Sequence, residues 1–497
     1  MKKKPSINLF LIPLFLIILQ AAHGQSGTFP RLDPDPKALE YYRLGRQRDY
    51  TWAELAEISL WASGDSSASN MNRIRDTVDT LNKASDLPTS PKEKAEFILT
   101  FLHRNTLRSY SLQQTRIDTI YSNGRFNCVS SAVLYTILCA AAGINTSGVI
   151  TRDHALVMAH IGGEDIDVET TNRFGFDPGN RREFHDQFGR STGFTYVPAR
   201  NYRDRQTISK IQLVSLILNN RISELERQNR YFDSVPLAID RAALLLGDSY
   251  AVAPGTAPQE TLFTDPYKDM MDRLFNYGSW LLRSNREEDC LRWAVTASAK
   301  YPDEVRWQEI IMAAVNNRTA RLIRGNNPAE ARNFLEAQKT LLTETNYKQL
   351  DTTILDAELL RSANQIRTAA DGDTAVAAIV QAQTDGRIAE RRGAELLTFA
   401  VQRTASILSA APARDWRAAI TYLENAVERF GANREFEQAL RTYRGNLVAD
   451  YHNRFAAEWN KRNYEAAERI LNEALAEFPN ERQLLADKDI VNRHHSR

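Results

Sequence analysis

Apolar positions in the first part of the chain fall into short segments broken by turn residues. In the second part they recur at helical spacing almost to the end. Residues 26–110 read as mostly helical. Thr51-Trp52-Ala53-Glu54 forms a capping box, followed by an apolar face of Leu55, Ile58, Leu60 and Trp61. A polar run over 64–69 predicts a loop, and Met71 to Ala84 a second helix. Ser90-Pro91-Lys92-Glu93 combines a cap, a first-turn proline and a reciprocal acid, and Ala95, Phe97, Ile98, Phe101 and Leu102 give the helix after it a buried face. Val129 to Ala142 contains no proline or glycine and predicts a buried helix. Asn127 is suited to cap its start and Gly143 to stop it. The period then changes to two: Val149 to Thr151, Ala155 to Ile161 and Ile166 to Thr171 read as strands, with Gly162-Gly163 as a hairpin turn.

From about Ile208 onward the pattern is helix after helix. The last segment is the clearest. Trp459 precedes Tyr464-Glu465-Ala466-Ala467, Ala474 follows one heptad later, and Phe478-Pro479 closes the unit. Small residues at Ala467 and Ala474 let two antiparallel helices approach, and proline cannot continue the helix. Related units are Trp416, Ala419 and Ala426; Gly325 and Ala331; Cys290, Ala297 and Pro302; Ala238 and Leu245; and a fainter one around Ala378. Their spacing is roughly 40 to 50 residues, longer than the ~34 of a tetratricopeptide repeat.

Charge changes the picture by exclusion. The 63 Lys and Arg residues balance 62 Asp and Glu over 497 residues, which gives no basis for nucleic acid as a partner. The N-terminus reads as a targeting segment: Lys2-Lys3-Lys4, an apolar run from Leu9 to Leu19, then the small-x-small Ala22-His23-Gly24. Cleavage would leave Gln25 first and export the protein to the periplasm or outside the cell; an uncleaved anchor is the other reading. There are three cysteines, Cys128, Cys139 and Cys290, an odd number that excludes a full disulfide framework. Cys139 falls three turns beyond Cys128 on one helix, too far to bond to it. Cys139 and Cys290 are expected to be buried and inert. No cysteine or histidine pair has metal-ligand spacing, so neither metal nor cofactor is expected.

The candidate chemistry lies between Gly124 and Thr171. Cys128 sits behind the cap residue Asn127, at the first turn of the expected helix. The free N–H groups and dipole of a helix start attract a thiolate and can hold an oxyanion. A lone cysteine in an apolar helix would otherwise be a small buried hydrophobe. If Gly162-Gly163 is a two-residue hairpin loop, Ile161 pairs with Glu164, and His154, Asp167 and Glu169 share one face. Glu169 is then one diagonal step from His154 and Asp167 two, on the order of 13 Å along the strand. A carboxylate that orients an imidazole must touch it, so Glu169 is the expected acid and Asp167 the alternative. His160 is the rival base, read as a strand histidine satisfied near the turn. Phe174, Phe176, Phe184 and Phe188 are expected in the core beneath the following loop, and Tyr110 to Tyr121 as a wall of the cleft.

Arg125-Phe126-Asn127-Cys128, His154-Ala155-Leu156-Val157 and Glu169-Thr170-Thr171 together resemble a transglutaminase-like domain of the papain-like cysteine class, over roughly Ser90 to Arg200. The glycine usual before the cysteine is displaced here to Gly124, and Glu169-Thr170 stands where Asp-Pro is usual. The last helical units resemble tetratricopeptide repeats. The resemblance implies an α+β protein, with a papain-like transglutaminase core of helix and antiparallel sheet followed by an α-helical solenoid. The expected segments are a signal peptide over 1–24, a helical segment over 25–89, the transglutaminase-like domain over 90–205 and helical repeats over 206–490. The implied function is acyl transfer at a peptide or glutamine amide through a thioester, by a peptidase, deamidase or cross-linker. Cys128 would be the nucleophile, His154 the base and Glu169 the orienting acid. The implied partners are a protein or peptide substrate and a second protein on the repeats. The alternative is an inactive transglutaminase-like domain serving as a peptide-binding or protein-binding scaffold.

Overall fold

The computed structural model describes residues 28–179, 205–254, 263–410 and 414–496, together with 184, 188–190 and 192. The leader expected over 1–24 lies outside the described residues. The chain divides into two compact units, Met1–Ala314 and Val315–Arg497.

The first unit begins with helices α1 (Pro36–Gln47), α2 (Trp52–Ser63), α3 (Ala68–Asn82) and α4 (Pro91–Asn105). Two-residue strands β1 (Ser109–Tyr110) and β2 (Arg125–Phe126) pair in parallel around the short helix α5 (Ile117–Asn123). Helix α6 (Cys128–Ala141) follows, then strands β3 (Asn145–Ile150), β4 (Ala155–Ile161), β5 (Glu164–Val168) and β6 (Gln206–Ile208). These four form one antiparallel sheet in the order β5-β4-β3-β6. Gly162 and Gly163 both take positive φ, 63° and 86°, as a tight hairpin turn requires, and Ile161 pairs with Glu164. That register carries Met158 to Asp167 and Val157 to Val168, where β5 stops.

Helix α6 packs on β3 and β4 and is enclosed by α2, α4 and α7 (Lys210–Arg227). Every residue from Cys128 to Cys139 is buried, which is why its sequence is apolar around the full turn. Helix α7 closes on β3 at Gly148, where a Cβ would lie 2.8 Å from Ile208 and 3.0 Å from Leu213. Helices α8 (Tyr231–Leu246), α9 (Pro266–Arg283) and α10 (Glu287–Lys300) continue the unit. The buried Arg241 of α8 pairs with Asp269 of α9 at 3.0 Å, and Arg273 joins Asp269 to Glu226.

The boundary between the units falls within α11 (Trp307–Arg324). The second unit continues with α12 (Pro328–Ala337), α13 (Glu344–Asn364), α14 (Ala369–Thr384), α15 (Glu390–Leu408), α16 (Trp416–Phe430), α17 (Arg434–Asn460), α18 (Tyr464–Glu477) and α19 (Arg482–His495). Ala467 and Ala474 are fully buried on α18, and Trp459 meets Tyr464 ring to ring at 4.9 Å.

The fold class expected from the sequence is corrected. About 70% of the described residues are helical and the six strands among them are short, so the chain is a mostly helical protein with a small sheet. It does not show the expected α+β papain-like core followed by a tetratricopeptide-like solenoid. The reason is physical. Small residues mark where helices touch but say nothing of helix length, and these helices run from 10 residues in α12 to 27 in α17. The first helix after β6, α7, also packs on α2, α6 and β3. Among the described residues no helix is long and apolar enough to cross a membrane.

Candidate active site

Cys128 is the first residue of α6. Its position is set by a reciprocal cap: Asn127 Oδ1 accepts from the Ser130 N–H at 2.9 Å, and Ser130 Oγ accepts from the Asn127 N–H at 2.9 Å. The Asn127 side-chain amide also donates to the Leu112 carbonyl at 3.1 Å, which fixes the preceding loop against the helix start. Gly124, at φ 70°, turns the chain from α5 into β2 just before this point.

His154 ends the turn between β3 and β4, closed by a 2.9 Å bond from the Thr151 N–H to the His154 carbonyl. Its Nε2–H donates to Glu169 Oε2 at 2.7 Å, and the Cys128 side chain is close enough to act on the charge of the ring. With Nε2 on the carboxylate, Nδ1 is the atom left to face the thiol. The structure therefore brings Cys128, His154 and Glu169 together at one site, with His154 hydrogen-bonded to Glu169. Burial works against a charged imidazole. The Glu169 carboxylate, its hydrogen bond and the nearby Cys128 thiol outweigh it and hold the His154 pKa well above its ordinary value.

Glu169 is fully buried. The chain leaves β5 there, and the Glu169 N–H bonds the Gly175 carbonyl at 2.8 Å across the loop. Gly175 admits no side chain, since a Cβ would lie 2.0 Å from the Glu169 carbonyl oxygen. Glu169 Oε1 accepts from the Thr171 N–H at 3.1 Å and from its hydroxyl at 2.6 Å. Thr170 faces the other way. Its hydroxyl lies 2.8 Å from Ser131 Oγ on α6, and its carbonyl accepts from His103 Nε2 at 3.0 Å. Burial holds His103 neutral, lowering its pKa to about 4.

Asp167, the alternative acid, lies two residues away and is bound by both terminal guanidinium nitrogens of Arg205, one at 2.8 Å. It is not brought to His154. His160 is engaged elsewhere, with Nδ1 on Asp165 at 2.6 Å and Nε2 on Ser147 at 3.0 Å. Phe176, Phe184 and Phe188 are buried, and the Phe188 ring lies 6.0 Å edge-on from His154. Cys139 and Cys290 are fully buried, and burial pushes both thiols up to about 12.

Sequence reasoning missed the roles of Tyr110, Ser131, His103 and Thr171. The Tyr110 phenol lies near Cys128; burial, then the charges of Cys128 and Glu169, push its pKa up. Tyr110 had a signal only as a cleft wall. Thr171 stands at the end of the Glu169-Thr170-Thr171 motif but had no role read for it, His103 and Ser131 belong to no motif, and the turn after β5 is what brings Thr170 and Thr171 to them and to Glu169.

This arrangement can move a proton from a thiol to an imidazole whose charge a buried carboxylate supports. No protein-family model matches the chain, and no curated protein matches it.

Proposed function

We propose that this chain is a cysteine acyltransferase with transglutaminase-like chemistry, acting on a peptide or glutamine amide of a protein substrate. The observation that carries it is the grouping of Cys128, His154 and Glu169: the thiol lies at a helix start near the imidazole, and the imidazole is hydrogen-bonded to a fully buried carboxylate. Cys128 Sγ bonds to the amide carbon while its proton passes to His154. The imidazolium returns that proton to the departing nitrogen, which leaves as ammonia or an amine, and a thioester remains. Water or a second amine, deprotonated by His154, then attacks the thioester and frees the thiol. Glu169 keeps the tautomer that presents Nδ1 to sulfur and supports the charge formed on the ring. The first N–H groups of α6 would stabilise the oxyanion.

The test is single-turnover mass spectrometry with a glutamine-containing peptide. The expected result is an acyl adduct on Cys128 with release of ammonia, lost in Cys128→Ser and in His154→Ala. If neither adduct nor turnover forms with glutamine or peptide-bond substrates, the reading is overturned in favour of a peptide-binding domain. The pattern of Lys2 to Gly24 supports export; N-terminal sequencing of protein from the natural host should begin near Gln25, and a retained Met1 would refute it.

A further inference from the structure

A glutamate held against an imidazole has a problem that a shorter acid lacks. It has one more rotatable bond, so its carboxylate can swing out of line unless something holds its far oxygen. The two oxygens of Glu169 are engaged differently. Oε2 accepts from His154, whereas Oε1 accepts from the backbone N–H and the hydroxyl of Thr171, two residues on. Both residues are buried. The side chain is thus folded back over its own turn and tied at its tip. We propose that Thr171 is the positioning residue of this site, holding Glu169 Oε1 so that Oε2 alone meets His154.

Three features make the hydroxyl the effective part. A hydroxyl on a buried carboxylate is a charge-assisted bond, roughly twice as strong as one between neutral groups. The β-branched side chain has few χ1 states, so the hydroxyl is aimed before the carboxylate arrives. The surrounding chain is also fixed. Thr170 bonds Ser131 and His103, and Gly175 leaves no room for the turn to drift toward Glu169. Thr171 touches no substrate atom in this scheme; it acts through Glu169.

The kinetic half of the inference rests on the acyl-transfer reading. The structural half does not, and the two can be separated. The charged and titratable groups around the pair are Cys128 of α6, Tyr110 of β1, His103 of α4 and Arg173 of the loop, while Asp167 is held by Arg205. None changes when the Thr171 hydroxyl is removed.

The experiment compares full-length wild type with Thr171→Val and Thr171→Ser. It follows the His154 ring by NMR across pH and measures kcat and KM on the glutamine peptide. Thr171→Val should move the His154 titration to lower pH, because the ring stays buried while its carboxylate loosens. It should also lower kcat on the order of 10- to 100-fold, as loss of an outer partner that orients a functional group does, with KM nearly unchanged. Thr171→Ser should restore the titration. If Thr171→Val fails to fold, Thr171→Ala removes the hydroxyl without placing a methyl group beside the carboxylate and gives the same reading. A hydroxyl-free variant that titrates like wild type overturns the proposal, whatever its activity. A wild type without turnover, but with the expected titration shift, overturns the enzymatic reading and leaves the positioning role standing.

Discussion

Glu169 and Asp167 differ by one alternation of a strand, yet their surroundings give them different work. Glu169 is sealed against His154, and Asp167 is tied to Arg205. Glu169→Gln should therefore lower kcat by orders of magnitude, because an amide can present the wrong hydrogen-bonding atom to Nε2. Asp167→Asn should leave turnover within a few-fold and cost about 1 kcal/mol of stability. Steady-state kinetics and urea unfolding on both variants would show it, and the reverse ranking would refute it. His103 supplies a pH dependence. Its folded pKa is near 4 against ~6.5 in the unfolded chain. The stability that neutral His103 contributes is present above pH ~6.5. It is lost as pH falls toward 4, by on the order of 3 kcal/mol. In His103→Gln that acid limb of the unfolding curve should flatten; an unchanged limb would show that other groups cause it. The proximity of Cys128, His154 and Glu169 could be read from the chain because a cap marks the cysteine and a glycine pair sets the hairpin register. Thr171, Ser131 and His103 could not, because their contacts depend on where β5 stops.

At the level of elements, that stop is the informative detail. Ile166 to Thr171 alternates like a strand, but β5 ends at Val168. Beyond it the backbone turns so that Glu169 and Gly175 bond each other and Val168 bridges Phe176. Nothing in strand propensity marks this, since Thr170 and Thr171 favour strands as much as turns. Gly175 is the residue that permits the turn. Gly175→Ala should force the loop away from Glu169, lower stability by about 1–3 kcal/mol and weaken the acid's hold on His154. Thermal melting and the His154 ring titration should move together, and a variant with wild-type values for both would refute the role. The hairpin was legible because only glycines sit easily at two successive positive φ values. The caps of α2 and α6 were legible because their residues satisfy the helix's own first N–H groups.

For the molecule as a whole, the helical character of residues after 208 was visible in the apolar spacing, but the architecture was not. Spacing reports which faces are buried and is silent on which helices bury them. In the first unit one buried interaction between helices is ionic. Arg241 is 3% exposed and has Asp269 as its ion-pair partner. Arg241→Ala should leave a buried carboxylate undercompensated and cost about 3–5 kcal/mol. Replacing both Arg241 and Asp269 by apolar residues of similar size should cost less, because Arg273 keeps Glu226 as its partner. Differential scanning calorimetry of the three proteins decides it; equal losses in the single and double variants would mean that packing, not charge, holds this contact.

The raised pKa values of two of the three thiols have a consequence for oxidation. With pKa values near 12, Cys139 and Cys290 are thiolate on the order of one part in 100,000 at neutral pH, and thiolates are what oxidants attack. Cys139 lies about 16 Å along the helix from Cys128, and the Cys290 thiol donates to the Gly278 carbonyl at 3.3 Å. Neither is placed to resolve a sulfenic acid. Peroxide should therefore act on Cys128 alone and, without added thiol, carry it on to the irreversible sulfinic acid. Intact-mass spectra should show one and then two oxygen additions, confined to Cys128, with activity recoverable by reductant only at the first. A protein with no second thiol to rescue the first has a lifetime under oxidative stress set by the thiols its surroundings supply.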